Sequence, residues 1–260
     1  MIGQLDGRVA VVTGAGDGIG RAVARAYVAE GARVVIADID PGTGNEAAEE
    51  LGEAAHFVAA DVSRPDDIDN MIDTAVDRFG GVDILVNNAW GGGRISRFEN
   101  KPHDLLAAGM GVGFFGPVRA MQQAFPHMAA NRWGRVVNMC SLNGVNAHMG
   151  TTEYNAAKEA LRAATRTAAR EWADRGVTAN IICPAAKSAS FRRVMDQHPE
   201  LETAADQGNP MGRIGDADTD IAPVAVFLAS DGSRYLTGNT LFVDGGGHIN
   251  GSSWAPDLGD

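Results

Sequence analysis

The sequence predicts a single doubly wound α/β domain, a mostly parallel seven-stranded sheet with helices on both faces. Three observations carry this. Short runs rich in Val and Ile recur along the 260 residues, each followed by a stretch of helical character. The runs are nearly continuous in apolar residues rather than alternating, as strands covered on both faces are. No internal repeat, low-complexity tract or polar linker divides the chain, so residues 1–260 read as one domain.

The seven runs are "RVAVVTG" (8–14), "RVVIAD" (33–38), "HFVAAD" (56–61), "DILVNNA" (83–89), "RVVNMCS" (135–141), "VTANIICP" (177–184) and "TLFVDGG" (240–246). Parallel neighbours need long crossovers, and the helical stretches between the runs provide them. After the first run, "GIGRAVARAYVAEGA" sets Ile19, Val23, Ala26 and Tyr27 on one side and ends at Gly31, a helix stop signal. A helix is expected over 65–79, with Ser63 as its cap and Pro65 in its first turn. Another, long and alanine-rich, is expected over 151–175. Residues 185–215 have weak periodicity and carry Pro and Gly near their end; in such a fold they form a loop-and-helix lid over the ligand crevice. Residues 247–260 form a C-terminal tail whose Trp254 covers a pocket, a neighbouring subunit or its own domain.

Composition narrows the function. At 45% hydrophobic and 21% charged, the chain suits a soluble protein with a large core. No stretch approaches the ~20 apolar residues of a membrane-spanning helix. The start, "MIGQLDGRVAVVTG", lacks the features of a secretory signal. A net charge of −11 disfavours nucleic acid and anionic membranes as partners. Cys140 and Cys183 lie inside apolar runs and are too few for a disulfide framework or zinc site. Buried, reduced thiols and a cytoplasmic location are the expectation. No metal site is expected, since His148 has no second ligand at suitable spacing.

The turn after the first strand reads "TGAGDGIG", residues 13–20. Its glycines, Gly14, Gly18 and Gly20, let the backbone turn sharply and a phosphate come close. The helix that begins there, through Ile19, aims free N–H groups and its dipole at that phosphate. A lone glycine-rich turn is weak evidence and often merely structural, but the strand–turn–helix context is the one a dinucleotide requires. Asp38 closes the second strand 18 residues past Gly20, where a carboxylate accepts hydrogen bonds from the ribose hydroxyls of NAD and repels the 2′-phosphate of NADP. Asp17, an acid inside the turn, points the same way.

With these motifs in order, the chain resembles the short-chain dehydrogenase/reductase superfamily, in its single-domain branch with a Rossmann fold. The resemblance runs from "GRVAVVTGAGDGIG" through Asp61-Val62, "DILVNNA" and "YNAAK" to "GRIGD" and "IAPVAVFLASDGSRYLTGNTLFVDGG", nearly the whole chain. It implies that Asp61 and Val62 contact the adenine. Asn88, Pro184 and Lys187 are likewise expected along the cofactor, with Lys187 near the nicotinamide. It also implies a catalytic set. Ser141 stands thirteen residues before Tyr154, the family's spacing, and Lys158 lies one helical turn after the tyrosine. Lys158 is one of three lysines beside nineteen arginines, so composition does not explain it.

The implied reaction is hydride transfer between nicotinamide C4 and a carbinol or carbonyl carbon. Tyr154 would move the proton, as base in oxidation and acid in reduction. A free tyrosine titrates near pH ~10, so a phenolate at neutral pH needs roughly 4 kcal/mol of help, expected from Lys158 and the positive nicotinamide ring. Ser141 would stabilise the substrate oxygen, and Lys158 would also hold the nicotinamide ribose.

The family pattern breaks in three places. "NNAG" becomes "NNAW", placing Trp90 before Gly91, Gly92 and Gly93, and Trp90 is expected in the wall of the substrate pocket. In "LLAAGMGVGFFGP", Met110 stands where the family's relay asparagine is usual, so the proton path is rerouted or impaired. Gly109, Gly111 and Gly113 around it suggest a local kink or close packing. After the sixth strand, "PAAKSASF" puts Ala189 where a threonine is usual. Arg94 and Lys187 are candidates for an anionic substrate group, although solvation explains each as well. Asn143, His148 and Phe191 join Trp90 as candidate pocket residues.

The leading expectation is an NAD-dependent dehydrogenase acting on a secondary alcohol or ketone, assembled as a homotetramer as relatives are. A competing one is an NAD-binding regulatory protein whose catalysis has decayed. Halohydrin dehalogenation, a third, needs a remodelled nucleotide turn that this chain lacks.

Overall fold

Strands β1 (Val9–Thr13), β2 (Arg33–Asp38), β3 (Ala55–Ala59), β4 (Ile84–Asn87), β5 (Gly134–Met139), β6 (Val177–Pro184) and β7 (Thr240–Val243) form one sheet. The computed structural model describes residues 3–187 and 199–249 of the chain. The strand order is β3-β2-β1-β4-β5-β6-β7 and every neighbouring pair is parallel, so the sheet is parallel throughout rather than mostly so. Chain direction across the sheet reverses between β1 and β4, the switch point where a crevice opens at the carboxyl ends of the strands.

The helices are α1 (Gly18–Ala29), α2 (Pro41–Leu51), α3 (Pro65–Phe79), α4 (His103–Met110), α5 (Gly116–Ala130), α6 (Leu142–Val145), α7 (Thr152–Trp172), α8 (Pro199–Gly208) and α9 (Ala222–Ala229). All five residues of β1 are buried, and its four apolar ones divide between two cores. Ala10 and Val12 join the core that holds Val23 and Tyr27 of α1 and Ala225 of α9. Val9 and Val11 face Ile68 and Met71 of α3 and Ala124 of α5. Burial on both faces is what made the strands read as unbroken apolar runs.

Local signals account for most boundaries. Asp17 caps α1, its Oδ1 accepting from the Gly18 N–H at 2.6 Å. Pro65 opens α3, but the cap position belongs to Arg64, whose side chain makes no capping bond. Ser63, the expected cap, instead donates its hydroxyl to Asp61 Oδ1 at 2.7 Å. The helix α7 stops at Trp172, and residues 173–175 tighten into a 3₁₀ turn before Gly176. Between α4 and α5, residues 111–115 form a π-helical turn. That is the irregularity the clustered glycines suggested, and π turns of this kind are frequent near functional sites.

Within 185–215, residues 188–198 lie outside the described part; α8 and the pairing of Ala186 with Gly215 lie inside it. Of the tail, a 3₁₀ turn over Gly247–Ile249 is described, whereas Trp254 is not. No described helix is long and apolar enough to cross a membrane.

Candidate active site

The carboxyl ends of β1, β2 and β4 build the nucleotide end of the crevice. Gly14 takes the left-handed conformation, φ 63°, that turns the chain out of β1. Its N–H donates to the Ala37 carbonyl of β2 at 2.8 Å. Asn88, just past β4, donates its side-chain amide to the carbonyls of Thr13 and Gly14 at 3.0 Å each. The expected cofactor contact is therefore also the brace that holds the turn. An ideal Cβ on Gly20 would lie 2.1 Å from the Gly14 carbonyl oxygen, so only glycine lets α1 begin this close to the strand.

Asp38 ends β2 against this turn, one oxygen accepting from the Gly16 N–H at 2.8 Å and the other from the Asp40 N–H at 3.0 Å. A cradle of N–H groups at a helix start, with a carboxylate beside it, suits a dinucleotide's pyrophosphate and ribose. Ile19 at the start of α1 is half-buried and packs against the core behind the turn. Further along the crevice, Asp61 accepts from both the N–H and the hydroxyl of Ser63, and Val62 is buried. Past β6, Pro184 is half-buried, and the Lys187 N–H donates to the Gly215 carbonyl at 2.9 Å.

The reacting end is built from β5 and α7. Ser141 follows β5, 8% exposed, its Oγ accepting from the Asn143 N–H at 3.1 Å. Tyr154 lies in the first turn of α7. Burial pushes its phenol above the ordinary tyrosine value, and hydrogen bonding with Ser141 pulls against that rise. Lys158, one turn on, is 3% exposed and donates Nζ to the Met139 carbonyl at 2.8 Å. Burial lowers its pKa. Its Nζ sits 5.7 Å from the Tyr154 ring centroid. In the protein alone, then, the balance holds the phenol above its ordinary value, away from the phenolate that oxidation calls for.

Cys140 and Cys183 flank this end as free, buried thiols whose pKa burial pushes up to about 12. Neither is a nucleophile there.

Of the departures from the family pattern, Trp90 reaches the π turn that follows Met110, and Ala189 lies outside the described residues. Trp90 is half-buried, its ring edge-on to Tyr154 with centroids 4.6 Å apart and 5.7 Å from Lys158 Nζ. It reaches Tyr154 itself, which the pocket-wall expectation did not anticipate. An ideal Cβ on Gly113 would come 2.8 Å from both the Trp90 ring and the Ala157 Cβ, so the glycine of the π turn makes room for the indole. Met110 ends α4 immediately before that turn and is half-buried. Among the candidate pocket residues, Asn143 is half-buried and His148 exposed, while Phe191 lies outside the described residues.

Sequence reasoning missed a buried ion pair. Lys101 Nζ lies 2.6 Å from Glu153 Oε2, with side chains 1% and 2% exposed. Glu153 directly precedes Tyr154. The rarity of lysine singled out Lys158 and applied equally to Lys101.

Comparison with known proteins agrees with this fold. The family model described as "Enoyl-(Acyl carrier protein) reductase" matches residues 14–248. The chain is 38% identical to an uncharacterized oxidoreductase of Mycobacterium bovis, covering 96% of this chain and 100% of that one. It is 37% identical to 3beta-hydroxysteroid dehydrogenase 1 of Eggerthella lenta, with 95% of each covered. A crystal structure described as a putative gluconate dehydrogenase from Agrobacterium tumefaciens superposes with a TM-score of 0.88 at 30% identity, covering 95% of this chain and 98% of that one. By sequence and by fold, the chain belongs to the short-chain dehydrogenase/reductase family.

Proposed function

We propose that the protein is an NAD-dependent dehydrogenase that interconverts a secondary alcohol and its ketone, with Tyr154 as the acid–base group. The observation that carries this reading is the meeting of Ser141, Tyr154 and Lys158 at the carboxyl edge of the sheet that also carries the glycine turn. Preference for NAD rests on Asp38, whose carboxylate lies against the turn through its bond to Gly16. A phosphate on the adenosine ribose would meet that charge in a chain whose net charge is already −11.

When bound, the nicotinamide accepts or delivers the hydride. The chain's own residues do the rest. Ser141 holds the substrate oxygen and stabilises its developing charge. Tyr154 takes the hydroxyl proton in oxidation and returns it in reduction. Lys158, whose ammonium donates to the Met139 carbonyl as its one acceptor among the described residues, has donors left for the ribose of the cofactor. The half-buried phenol and the adjoining indole keep water from the reacting atoms.

Exposed Ile95 and Met149 border this region, with Gly150 packed on Ile95 and its carbonyl bonded to the Ser96 N–H. They favour an apolar, cyclic substrate, in keeping with the hydroxysteroid dehydrogenase among the relatives. Exposed Tyr235 and Phe227, together with the half-buried strand β7, favour assembly of several copies. The test is to follow NADH absorbance with NAD+ and a panel of cyclic, aromatic and aliphatic secondary alcohols, with NADP+ alongside. Turnover favouring NAD+ is expected. Equal or better turnover with NADP+ would overturn the cofactor assignment.

A further inference from the structure

The loop between β4 and α4 is fastened to the catalytic helix by one carboxylate. Glu153 receives the Lys101 ammonium on one oxygen at 2.6 Å and the Arg94 N–H on the other at 3.0 Å. Lys101 also donates to the Arg94 carbonyl, which closes a ring through both ends of residues 94–101. Space for Glu153 is made by missing side chains. An ideal Cβ on Gly109 would lie 2.9 Å from the Glu153 Cβ, and one on Gly93 would lie 3.3 Å from its Oε1. A second tie runs from the Ser96 N–H to the Gly150 carbonyl at 3.2 Å. Trp90 opens the same loop and ends against the ring of Tyr154, the residue after Glu153.

We propose that Lys101 and Glu153 are a positioning pair that clamps residues 90–101 to the start of α7 and so holds the Trp90 indole against the Tyr154 phenol. A buried pair is a poor source of stability, because desolvating two charges cancels most of their attraction. What it provides is a single geometry, since both charged groups are also tied to the backbone of Arg94, the carboxylate through its N–H and the ammonium through its carbonyl. Burial alone would raise the Glu153 carboxyl, but Lys101 and the N–H groups of Glu153 and Arg94 outweigh it and hold the group below its ordinary value. The clamp is therefore intact wherever the protein is folded at neutral pH. It fixes the tyrosine's ring plane and one wall of the space beside it, in the way that pre-organisation lowers the cost of reaching a reactive geometry.

The experiment compares wild type, Lys101→Met/Glu153→Leu and Trp90→Phe. Acrylamide quenching is read as the part of tryptophan emission that Trp90→Phe removes, and steady-state kinetics use 1-phenylethanol with NAD+. Replacing both charges with apolar groups avoids stranding one of them, so the double variant is expected to melt close to wild type. Its Trp90 emission should become more accessible to quencher. Its kcat should fall about tenfold or more while NADH affinity stays within about threefold. Should the double variant not fold, Glu153→Gln keeps the shape and weakens the tie, and the same two changes are expected in smaller measure. Wild-type quenching with wild-type kcat in the folded variant would overturn the proposal. The kinetic arm rests on the dehydrogenase reading. If wild type turns over no alcohol at all, that reading fails while the quenching arm still decides the clamp.

Discussion

At the turn after β1, the missing Cβ atoms leave the chain room to fold onto itself as well as to admit Asn88; from α4 through its π turn to the start of α5, they leave room for groups that arrive from elsewhere. Gly20 closes on the carbonyl of Gly14, six residues back, at what would be 2.1 Å for a Cβ. Gly109 receives Glu153, Gly113 receives Trp90 and Ala157, and Gly116 lies against the Val62 carbonyl, which an ideal Cβ would meet at 2.0 Å. Both clusters border the same crevice. The first carries its signal in local spacing and is readable from eight residues, although Asn88 also closes on Gly14 and Gly20, where an ideal Cβ would meet its amide at 3.0 Å and 2.6 Å. The second has no local signal beyond its glycines, because these partners all lie many positions away.

The largest effect on this comparison is expected from Gly20→Ala. The obstructing atom is backbone in the same turn and cannot swing aside, so the variant should lose nucleotide binding and about 1–3 kcal/mol of stability. Titration with NADH and a thermal melt read both; near-normal NADH affinity would contradict the account. Next in size is Asp38→Ala, which removes a charged acceptor from the turn and the ribose site. The KM for NAD+ should rise about 10- to 100-fold and that for NADP+ much less, the range set by losing charged hydrogen bonds.

In the other cluster, Gly113→Ala should destabilise by roughly 1–3 kcal/mol, because a flexible wall can yield only partly. Adding Trp90→Ala should recover part of that loss, leaving a coupling of about 0.5 kcal/mol or more in a double-mutant cycle. Strict additivity would mean that the indole and the glycine are not partners. The smallest effect is a slope. Burial holds the Tyr154 phenol above its ordinary value, so its basic form grows as pH rises. Alcohol oxidation should therefore gain kcat/KM with pH, by at most about tenfold per pH step, and ketone reduction should not.

The sheet, its parallel pairing and the glycine turn were legible because burial on both faces leaves unbroken apolar runs, and because the turn chemistry is local. Ser141, Tyr154 and Lys158 were legible through spacing that a family resemblance could read. The Ser63 cap failed because a nearby carboxylate, Asp61, competes for its hydroxyl. Arg135 shows a similar limit at the opposite edge of the sheet. It is 3% exposed inside a strand that read as apolar, stacked 4.2 Å from the Trp133 ring centroid, with Arg8 at 3.6 Å. Lys101 and Glu153 escaped for the same reason, since a buried charge is tolerated by a partner 52 residues away that periodicity cannot see.

The most direct test of the central claim is Tyr154→Phe, assayed with NAD+ and the alcohol that wild type turns over best, beside an NADH titration. The account predicts a loss of about 10²-fold to 10⁴-fold in turnover, with NADH still bound and the pH slope gone. A phenylalanine variant with near-normal turnover would contradict it, and the acid–base group would have to be sought elsewhere in the crevice.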